Sequence, residues 1–348
     1  MIDLKVIKEL DKSQMATSIK ALPDQCQQAW EEVNHLAIPS DYKAVKNIVV
    51  SGMGGSALGT HVIKSLYLRQ LGVPVEIVND YHLPAYVDEK TLVLLSSYSG
   101  GTEETLSCAQ DALESKAKVV GITTGGKLGD FLKRNNFPGY IFQPKFNPCG
   151  QPRIGLGYSI LGQIALFHKI GFITVQETQI EEAIKKIREE NDKLKEKACQ
   201  LAVQVHGKIP IIIAAEFLSG NAHILANQIN ENAKSFSSYF LLSELNHHLM
   251  EGLKNPQWVK NLAFLFIDSA GYSQKIRQRL NLTIEVVKKN KIETSRCFFG
   301  EMEKIPEVLS VLLCGTYLSF FLSILYKQDP SPIPWVDFFK EKLSAHEK

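Results

Sequence analysis

Two stretches of this sequence combine glycines with hydroxyl side chains, the residue types that bind an anion through backbone N–H groups and hydroxyls. The first stretch follows an apolar, β-branched run that ends at Val50, and it contains Gly54, Gly55 and Ser56 before an apolar pattern typical of a helix. A strand, a glycine turn and a helix in this order point free N–H groups at a ligand, and glycine lets the ligand approach the backbone closely. A phosphate or sugar-phosphate site is therefore one interpretation of this stretch.

Two other interpretations of the first stretch remain open at this point. The spacing Gly52-x-Gly54-x-x-Ala57 fits a loose dinucleotide-binding fingerprint. The acidic residue that would bind the ribose, Asp80, lies further along the chain than the spacing of about 20 residues that this fingerprint uses. The third interpretation is a glycine turn that has a structural role and binds no ligand.

The second stretch, residues 96–105, favours a phosphate over a dinucleotide. It places three hydroxyl side chains around two adjacent glycines. A helix N-cap would use one of these hydroxyls, whereas a terminal phosphate has three oxygens that need donors. A dinucleotide fold does not need a second hydroxyl-rich loop here. The residues predicted to bind the phosphate are Gly54, Gly55, Ser56, Ser97, Ser99 and Thr102.

Short apolar runs alternate with helical patterns along the chain, which predicts an α/β protein with doubly wound parallel sheets. Ligands bind at the carboxyl ends of the strands in such sheets, and both hydroxyl-rich loops follow predicted strands. The predicted strands are residues 48–50, 75–78, 92–95, 118–123 and 140–142 in the first half, and 209–214, 239–242, 262–267 and 284–287 in the second.

At 348 residues the chain exceeds the usual size of one hydrophobic core, so two domains are expected. Hydrophobic residues make up 45% of the chain and charged residues 22%, as in ordinary globular proteins. The net charge of +2 gives no reason to expect nucleic acid as a partner.

The most apolar stretch, residues 308–326, carries no charge and is just long enough to span a bilayer. Because polar residues interrupt it, we interpret it as a buried core helix and expect no membrane partner. The N-terminal residues lack a basic-then-apolar signal pattern, and the six scattered cysteines form no C-x-x-C pair. These features predict a cytoplasmic protein with no zinc site.

Six motifs occur in one order along most of the chain, and together they resemble the bifunctional phosphoglucose/phosphomannose isomerases of the sugar isomerase (SIS) superfamily. The resemblance implies two SIS-type, flavodoxin-like parallel-sheet domains flanked by helices. It places the first domain, with a helical cap, in residues 1–155 and the second, with a long connecting helix and a tail helix, in residues 156–348. The motifs are GMGGSALG at 52–59, SYSGGTEET at 97–105, PRIGLGYS at 152–159, NENAK at 230–234, SELNHHLMEGL at 243–253 and DPSPIPWVDFFK at 329–340.

The resemblance also implies a reaction, the interconversion of glucose 6-phosphate or mannose 6-phosphate with fructose 6-phosphate. The family performs it through a cis-enediol, without metal or cofactor. Glu231 matches the family's catalytic base, which carries a proton between C1 and C2. Arg153 matches an arginine that would stabilise the enediolate, and Lys340 matches a C-terminal lysine of the active site, with Lys342 as the alternative.

His247 matches the family's ring-opening histidine, and its neighbour His248 is the alternative. Imidazole suits this role because it can donate and accept a proton near neutral pH. In the family this histidine comes from the neighbouring subunit, so the resemblance implies a homodimer with a shared active site. Gly101 and Ser243 stand where the family more often has Asn and Pro, and we expect these differences to affect substrate preference rather than activity.

Two other functional classes remain as alternatives. A non-catalytic SIS-domain regulator that binds sugar phosphates would keep the hydroxyl loops without needing Glu231, Arg153 and His247 together. Such regulators usually carry a DNA-binding helix-turn-helix, and the first 45 residues show no basic recognition helix. An NAD-dependent dehydrogenase would respond to nicotinamide cofactor rather than to fructose 6-phosphate in a thermal melt.

Overall fold

The computed structural model describes residues 4–300 and 303–346. The strands are β1 (Asn47–Gly52), β2 (Val75–Val78), β3 (Thr91–Ser96), β4 (Lys118–Thr123), β5 (Gly139–Ile141), β6 (Ile209–Ala214), β7 (Ser238–Leu241), β8 (Leu262–Ser269) and β9 (Glu293–Phe299). The α-helices are α1 (Leu4–Leu10), α2 (Met15–Lys20), α3 (Leu22–Asn34), α4 (Gly55–Leu66), α5 (Glu103–Glu114), α6 (Gly126–Arg134), α7 (Leu156–Ile170), α8 (Glu177–Glu189), α9 (Asn191–Val205), α10 (Ser219–Ala233), α11 (Leu242–His248), α12 (Gln274–Lys289), α13 (Lys304–Leu325) and α14 (Pro334–His346).

The first sheet is parallel throughout and has the strand order β2-β1-β3-β4-β5. Its central strands are buried on both faces, as expected for a parallel sheet covered by helices. Ile48 and Val50 face a core shared with α3, α4 and α7, whereas Val49 faces a smaller core formed with α5 and α6. The doubly wound architecture predicted from the alternating pattern is confirmed for this half.

The second sheet is also parallel, with the order β7-β6-β8-β9. This order repeats that of the first four strands of the other sheet. The prediction of a strand at residues 284–287 is wrong, because these residues belong to α12. Leu280, Thr283 and Val287 are buried at helical spacing, so the apolar residues form one face of a helix and the last strand is β9 instead.

The connection between the two sheets differs from the single long helix that was expected. Two helices, α8 and α9, meet at Glu190, and each buries its own apolar stripe. The predicted domain boundary between residues 155 and 156 coincides with the start of α7, and this helix packs against α3 and α4. The N-terminal helices contact both halves, since α3 packs against α7 and α2 against α13.

The two halves share one continuous core. Helix α13 lies within it, and every residue from Ile305 to Ile324 is buried. It is the one helix among the described residues that is long and apolar enough to cross a membrane. Within its most apolar stretch of 18 residues, 94% is buried inside the protein. This burial is that of a core helix in a globular protein.

Helices α4 and α10 pack directly against each other across the boundary between the halves. They follow β1 and β6, the strands at which the order of each sheet reverses. A Cβ atom on Gly220 would lie 2.6 Å from the backbone of Val62, so glycine is needed for this close approach. The contact sets the start of α10 beside the later part of α4.

Candidate active site

The first hydroxyl-rich loop lies at the carboxyl end of β1. Gly54 has φ 47°, which favours glycine, and α4 begins at the next residue. A Cβ atom on Gly55 would lie 3.2 Å from the backbone of Pro152 and Arg153, so this loop lies against the segment that carries the arginine. The Ser56 hydroxyl accepts a hydrogen bond from the backbone N–H of Tyr98 at 2.9 Å. Ser56 therefore links the first loop to the second.

The second loop uses part of its hydroxyl set to hold its own shape. Ser97 is buried, and its hydroxyl lies 2.8 Å from that of Thr102 while it accepts the N–H of Gly100 at 3.1 Å. Thr102 occupies the N-cap position of α5 but makes no side-chain cap hydrogen bond. Ser99 is exposed and accepts the N–H of Gly101 at 3.3 Å. Thr102 thus contributes its hydroxyl to the loop and not to the helix end.

A third loop, which follows β4, supports the second one. Gly100 has φ 69°, and a Cβ atom there would lie 1.9 Å from the carbonyl oxygen of Gly125. The backbone N–H of Leu128 donates to the carbonyl of Gly100 at 2.9 Å. The second loop therefore has little freedom to move relative to α6. The sequence predicted a phosphate-binding role for the hydroxyls of this loop but did not indicate the contact that holds the loop.

Arg153 is buried at 2% exposure, and all five of its N–H groups have acceptors within the protein. They bind the side-chain oxygens of Asn232 at 2.6 Å, Gln151 at 2.8 Å and Glu231 at 3.4 Å, and the carbonyls of Pro330 at 2.9 Å and Ser331 at 2.7 Å. The guanidinium is therefore a fixed positive charge in contact with the predicted catalytic carboxylate.

Glu231 lies near the end of α10, with 31% of its side chain exposed. Burial raises the pKa of Glu231, and the positive charges of Arg153, Lys340 and Lys234 oppose that rise. A carboxylate with a raised pKa beside fixed cations can both accept a proton and return it. This arrangement is the one that a proton shuttle needs.

Lys234 is a site residue that the sequence interpretation missed. It follows the last residue of α10 with φ 50°, and its ammonium donates to the carbonyls of Asn232 at 3.1 Å and Asp329 at 2.7 Å. Burial lowers the pKa of Lys234 to about 8. The motif at residues 230–234 contains this lysine, but its spacing alone gave it no role.

Lys234 and Arg153 together bind three consecutive carbonyls, those of residues 329–331. We call these two cations and their three carbonyls the tail clamp. The clamp lies immediately before α14, the helix that carries Lys340. It therefore determines where that helix begins relative to Glu231.

Lys340 lies on α14, close enough to Glu231 for its charge to lower the pKa of that carboxyl group. The ammonium of the alternative residue, Lys342, lies 5.7 Å from the ring centroid of Phe338. The charge that acts on Glu231 from this helix is thus that of Lys340. Its chemical role remains a prediction.

The single chain does not join His247 to the other predicted catalytic residues. His247 is exposed on α11 and, within residues 4–300 and 303–346, has no hydrogen bond or ion pair. Its neighbour His248 lies 3.5 Å from the Glu244 carboxylate. The assignment of ring opening to His247 therefore remains a prediction.

The chain matches known proteins over nearly its whole length. Residues 42–135 match the SIS domain, and residues 194–343 match the bacterial phospho-glucose isomerase C-terminal SIS domain. A bifunctional phosphoglucose/phosphomannose isomerase from Caldicellulosiruptor bescii is 34% identical over 95% of this chain and 99% of its own. One of the same name from Aquifex aeolicus is 29% identical over 91% of this chain and 95% of its own.

The solved structures include the same fold. A crystal structure of a hypothetical protein from Thermus thermophilus superposes with a TM-score of 0.74, covering 98% of this chain and 92% of that one at 16% identity. The two parallel sheets are thus SIS-type domains, as the resemblance implied. With the matches over both halves, these findings show that the chain belongs to the bifunctional phosphoglucose/phosphomannose isomerase family and is a sugar-phosphate isomerase.

Proposed function

We propose that this enzyme interconverts glucose 6-phosphate and mannose 6-phosphate with fructose 6-phosphate by acid–base proton transfer, without metal or cofactor. Glu231 takes the proton from one of the two carbons C1 and C2 and returns it to the other through a cis-enediolate. The observation that carries this proposal is the contact of the Glu231 carboxylate with the buried Arg153 guanidinium at 3.4 Å.

The phosphate group is assigned to the loops that follow β1 and β3. Backbone N–H groups near Gly54, Gly55 and Gly101 and the hydroxyls of Ser56 and Ser99 are the donors, while Ser97 and Thr102 hold the second loop in shape. The close packing of Gly55 on the Arg153 backbone supports this assignment, because it places the phosphate loop beside the segment that contacts Glu231.

Arg153 stabilises the negative charge that develops on the enediolate oxygens. Because five acceptors hold its guanidinium, the charge is already in position and needs no rearrangement during the reaction. Preorganised groups of this kind contribute about 3 kcal/mol to lowering a reaction barrier. Lys340 adds a second positive charge near the carboxylate.

His247 opens the sugar ring and is supplied by a second copy of the chain. Its exposed position on α11 supports this assignment, because an exposed histidine is free to reach the site of a partner. The functional unit is therefore a homodimer with two shared sites, and its partner molecules are sugar phosphates rather than nucleic acids or membranes. We assign the protein to the cytoplasm.

The test is a coupled assay with each of the two aldose phosphates, applied to the natural chain and to Glu231→Gln. The variant should lose isomerisation while it still binds fructose 6-phosphate in a calorimetric titration. The matched control is Glu285→Gln, which removes a carboxylate from the exposed face of α12. Undiminished turnover in Glu231→Gln would remove this carboxylate from the mechanism, and turnover of neither aldose phosphate by the natural chain would refute the substrate assignment.

A further inference from the structure

The two halves are related by more than their strand order. In each sheet the order reverses between two strands, β1 and β3 in the first half and β6 and β8 in the second. Ligands of doubly wound sheets bind in the crevice outside the carboxyl ends of these strands. The candidate active site occupies that position in the first half, so the second half has a corresponding crevice.

The packing of α4 on α10 reproduces the layout of the active site at this second crevice. The backbone N–H of Gly220, at the start of α10, donates to the Ser65 hydroxyl near the end of α4 at 3.3 Å. The same hydroxyl donates to the carbonyl of Phe217 at 3.2 Å. The start of α10 thus meets the end of α4, just as the start of α4 lies beside the part of the chain that holds Glu231.

The second crevice has a volume of about 640 Å³ and is lined by both halves. This volume is typical of a site for a small molecule. Tyr67 and Arg69 line it from the end of α4, and Ser273 and Lys304 line it from the second half. It is distinct from the candidate active site, since none of the predicted catalytic or phosphate-binding residues lines it.

The catalytic carboxylate has no counterpart here. Tyr67 lies as many residues after the start of α4 as Glu231 does after the start of α10. Tyr67 is only 4% exposed, and its hydroxyl has no hydrogen-bond partner among the described residues. The hydroxyl itself is buried, so a ligand in the crevice contacts Tyr67 as part of the wall and not through a hydrogen bond.

In this crevice a side chain of the protein occupies the position in which a phosphate would contact the N-terminus of a helix. The Glu216 carboxylate accepts the backbone N–H of Ser273 at 3.1 Å, immediately before α12. Glu216 has φ 47°, an uncommon conformation for a residue with a side chain. An anion in this crevice must therefore bind to cationic side chains and not to the helix start.

Two such cations are present, one from each half. Within the described residues, neither Arg69 nor Lys304 makes a hydrogen bond or an ion pair, and the Lys304 ammonium lies 5.4 Å from the ring centroid of Phe217. Glu303 also lines the crevice, and its negative charge would repel a second anionic group. A ligand would therefore place one anionic group between the two cations, and the rest of the ligand would be polar and uncharged. The tetrahedral oxygens of a phosphate can accept from both cations and from a hydroxyl at once.

We propose that the crevice lined by Tyr67, Arg69 and Lys304 is a second, non-catalytic binding site for a phosphorylated small molecule. The site is independent of the isomerase reaction, because it contains none of the groups assigned to proton transfer. A ligand bound there contacts both halves and stabilises their packing.

The test is calorimetric titration of the full-length chain with inorganic phosphate, in a buffer that contains none. The natural chain should show two classes of site, and the double variant Arg69→Gln/Lys304→Gln should lose one of them or bind at least about tenfold more weakly there. The double variant Ser97→Ala/Thr102→Val should lose the other class. Isomerase turnover without added phosphate should be unchanged in Arg69→Gln/Lys304→Gln.

The matched control is Lys254→Gln/Lys288→Gln, which removes two exposed positive charges outside the crevice and should retain both classes of site. Phosphate binding by Arg69→Gln/Lys304→Gln with the stoichiometry and affinity of the natural chain overturns the proposal. An equal loss in the control variant also overturns it, because the effect would then come from net charge. If the natural chain binds phosphate at both classes of site but turns over neither aldose phosphate, the proposed function is contradicted and the second site remains supported.

Discussion

The Arg153 guanidinium lies 3.4 Å from the Glu231 carboxylate, and four further acceptors hold it there. Only one of its five N–H groups points at the carboxylate, and the other four bind Gln151, Asn232 and the tail carbonyls. The arginine is therefore part of the structure as well as part of the site. Its position couples the Glu231 carboxylate to the segment that leads into α14.

Mixing two inactive variants tests whether the active site is shared between subunits. Glu231→Gln and His247→Ala should each be inactive on cyclic substrates. If they are unfolded and refolded together in equal amounts, random pairing should restore about a quarter of natural activity, because half of the dimers are hybrids with one intact site each. The measurement is the coupled assay on the refolded mixture.

Each variant refolded alone is the control for this mixing experiment and should remain inactive. No recovery in a mixture whose hybrid dimers are shown by native mass spectrometry would place His247 and Glu231 of the same chain in one site. His248→Ala, refolded with Glu231→Gln in the same way, separates the two neighbouring histidines, since it should be active by itself.

Removing the Lys340 charge should shift the acidic limb of the pH profile. Burial raises the pKa of Glu231 and the Lys340 charge lowers it, so Lys340→Gln leaves the pKa of Glu231 higher than in the natural chain. Because the base must be ionised, kcat/KM should then begin to rise at a higher pH. Lys342→Gln, two residues along the same helix, should leave that limb in place, and equal shifts in both variants would contradict the assignment.

Lys234 should control the alkaline limb of activity. Its pKa is lowered to about 8, mainly by burial, so it loses its charge as the pH rises through that value. The tail clamp weakens when the ammonium becomes neutral, and kcat/KM should fall above about pH 8. Lys234→Arg keeps its charge and should hold activity to a higher pH. An alkaline limb that does not move in this variant would separate Lys234 from the effect.

Gly100 and Gly101 form a matched pair for testing the phosphate loop. A Cβ on Gly100 would lie 1.9 Å from the Gly125 carbonyl oxygen and would need φ 69°, whereas a Cβ on Gly101 would meet its nearest atom at 3.9 Å. Gly100→Ala should therefore raise KM for fructose 6-phosphate at least about tenfold and lower the melting temperature, by distorting the loop. Gly101→Ala should change both values little. Similar effects of the two substitutions would mean that the loop does not need this close contact.

Glu307 should make the protein less stable as the pH rises. Its side chain is fully buried, and burial raises the pKa of Glu307 to about 7, with the Ser269 side chain opposing that rise. The folded state thus binds more protons than the unfolded state between about pH 4.5 and 7, so the free energy of unfolding falls over that range, by up to about 3 kcal/mol.

Glu307→Met should remove most of this dependence and stabilise the protein at pH 8, since it replaces a buried charge with an apolar side chain of similar size. Urea unfolding at several pH values measures both effects. A free energy of unfolding that varies with pH equally in Glu307→Met and in the natural chain would assign the dependence to other groups.

Local sequence patterns determined most of the fold. The run from Ile48 to Val50 and the glycines after it specify a buried strand and a turn, because their effects act within a few residues. The same reasoning failed at residues 284–287, where a short apolar run fits a strand or one face of a helix and the neighbouring buried positions decide between them. It also gave one helix where Glu190 separates two.

The sequence by itself predicted which residue types would surround a phosphate and, through six ordered motifs, determined the family to which the chain belongs. Only the tertiary structure decided how Arg153, Lys234 and Glu231 act together, since their partners in the tail lie about a hundred residues or more away along the chain. It also decided that Thr102 binds Ser97 instead of capping α5. The physical reason is that hydrogen bonds and charge interactions depend on distance in space, which the spacing of residues along the chain does not specify.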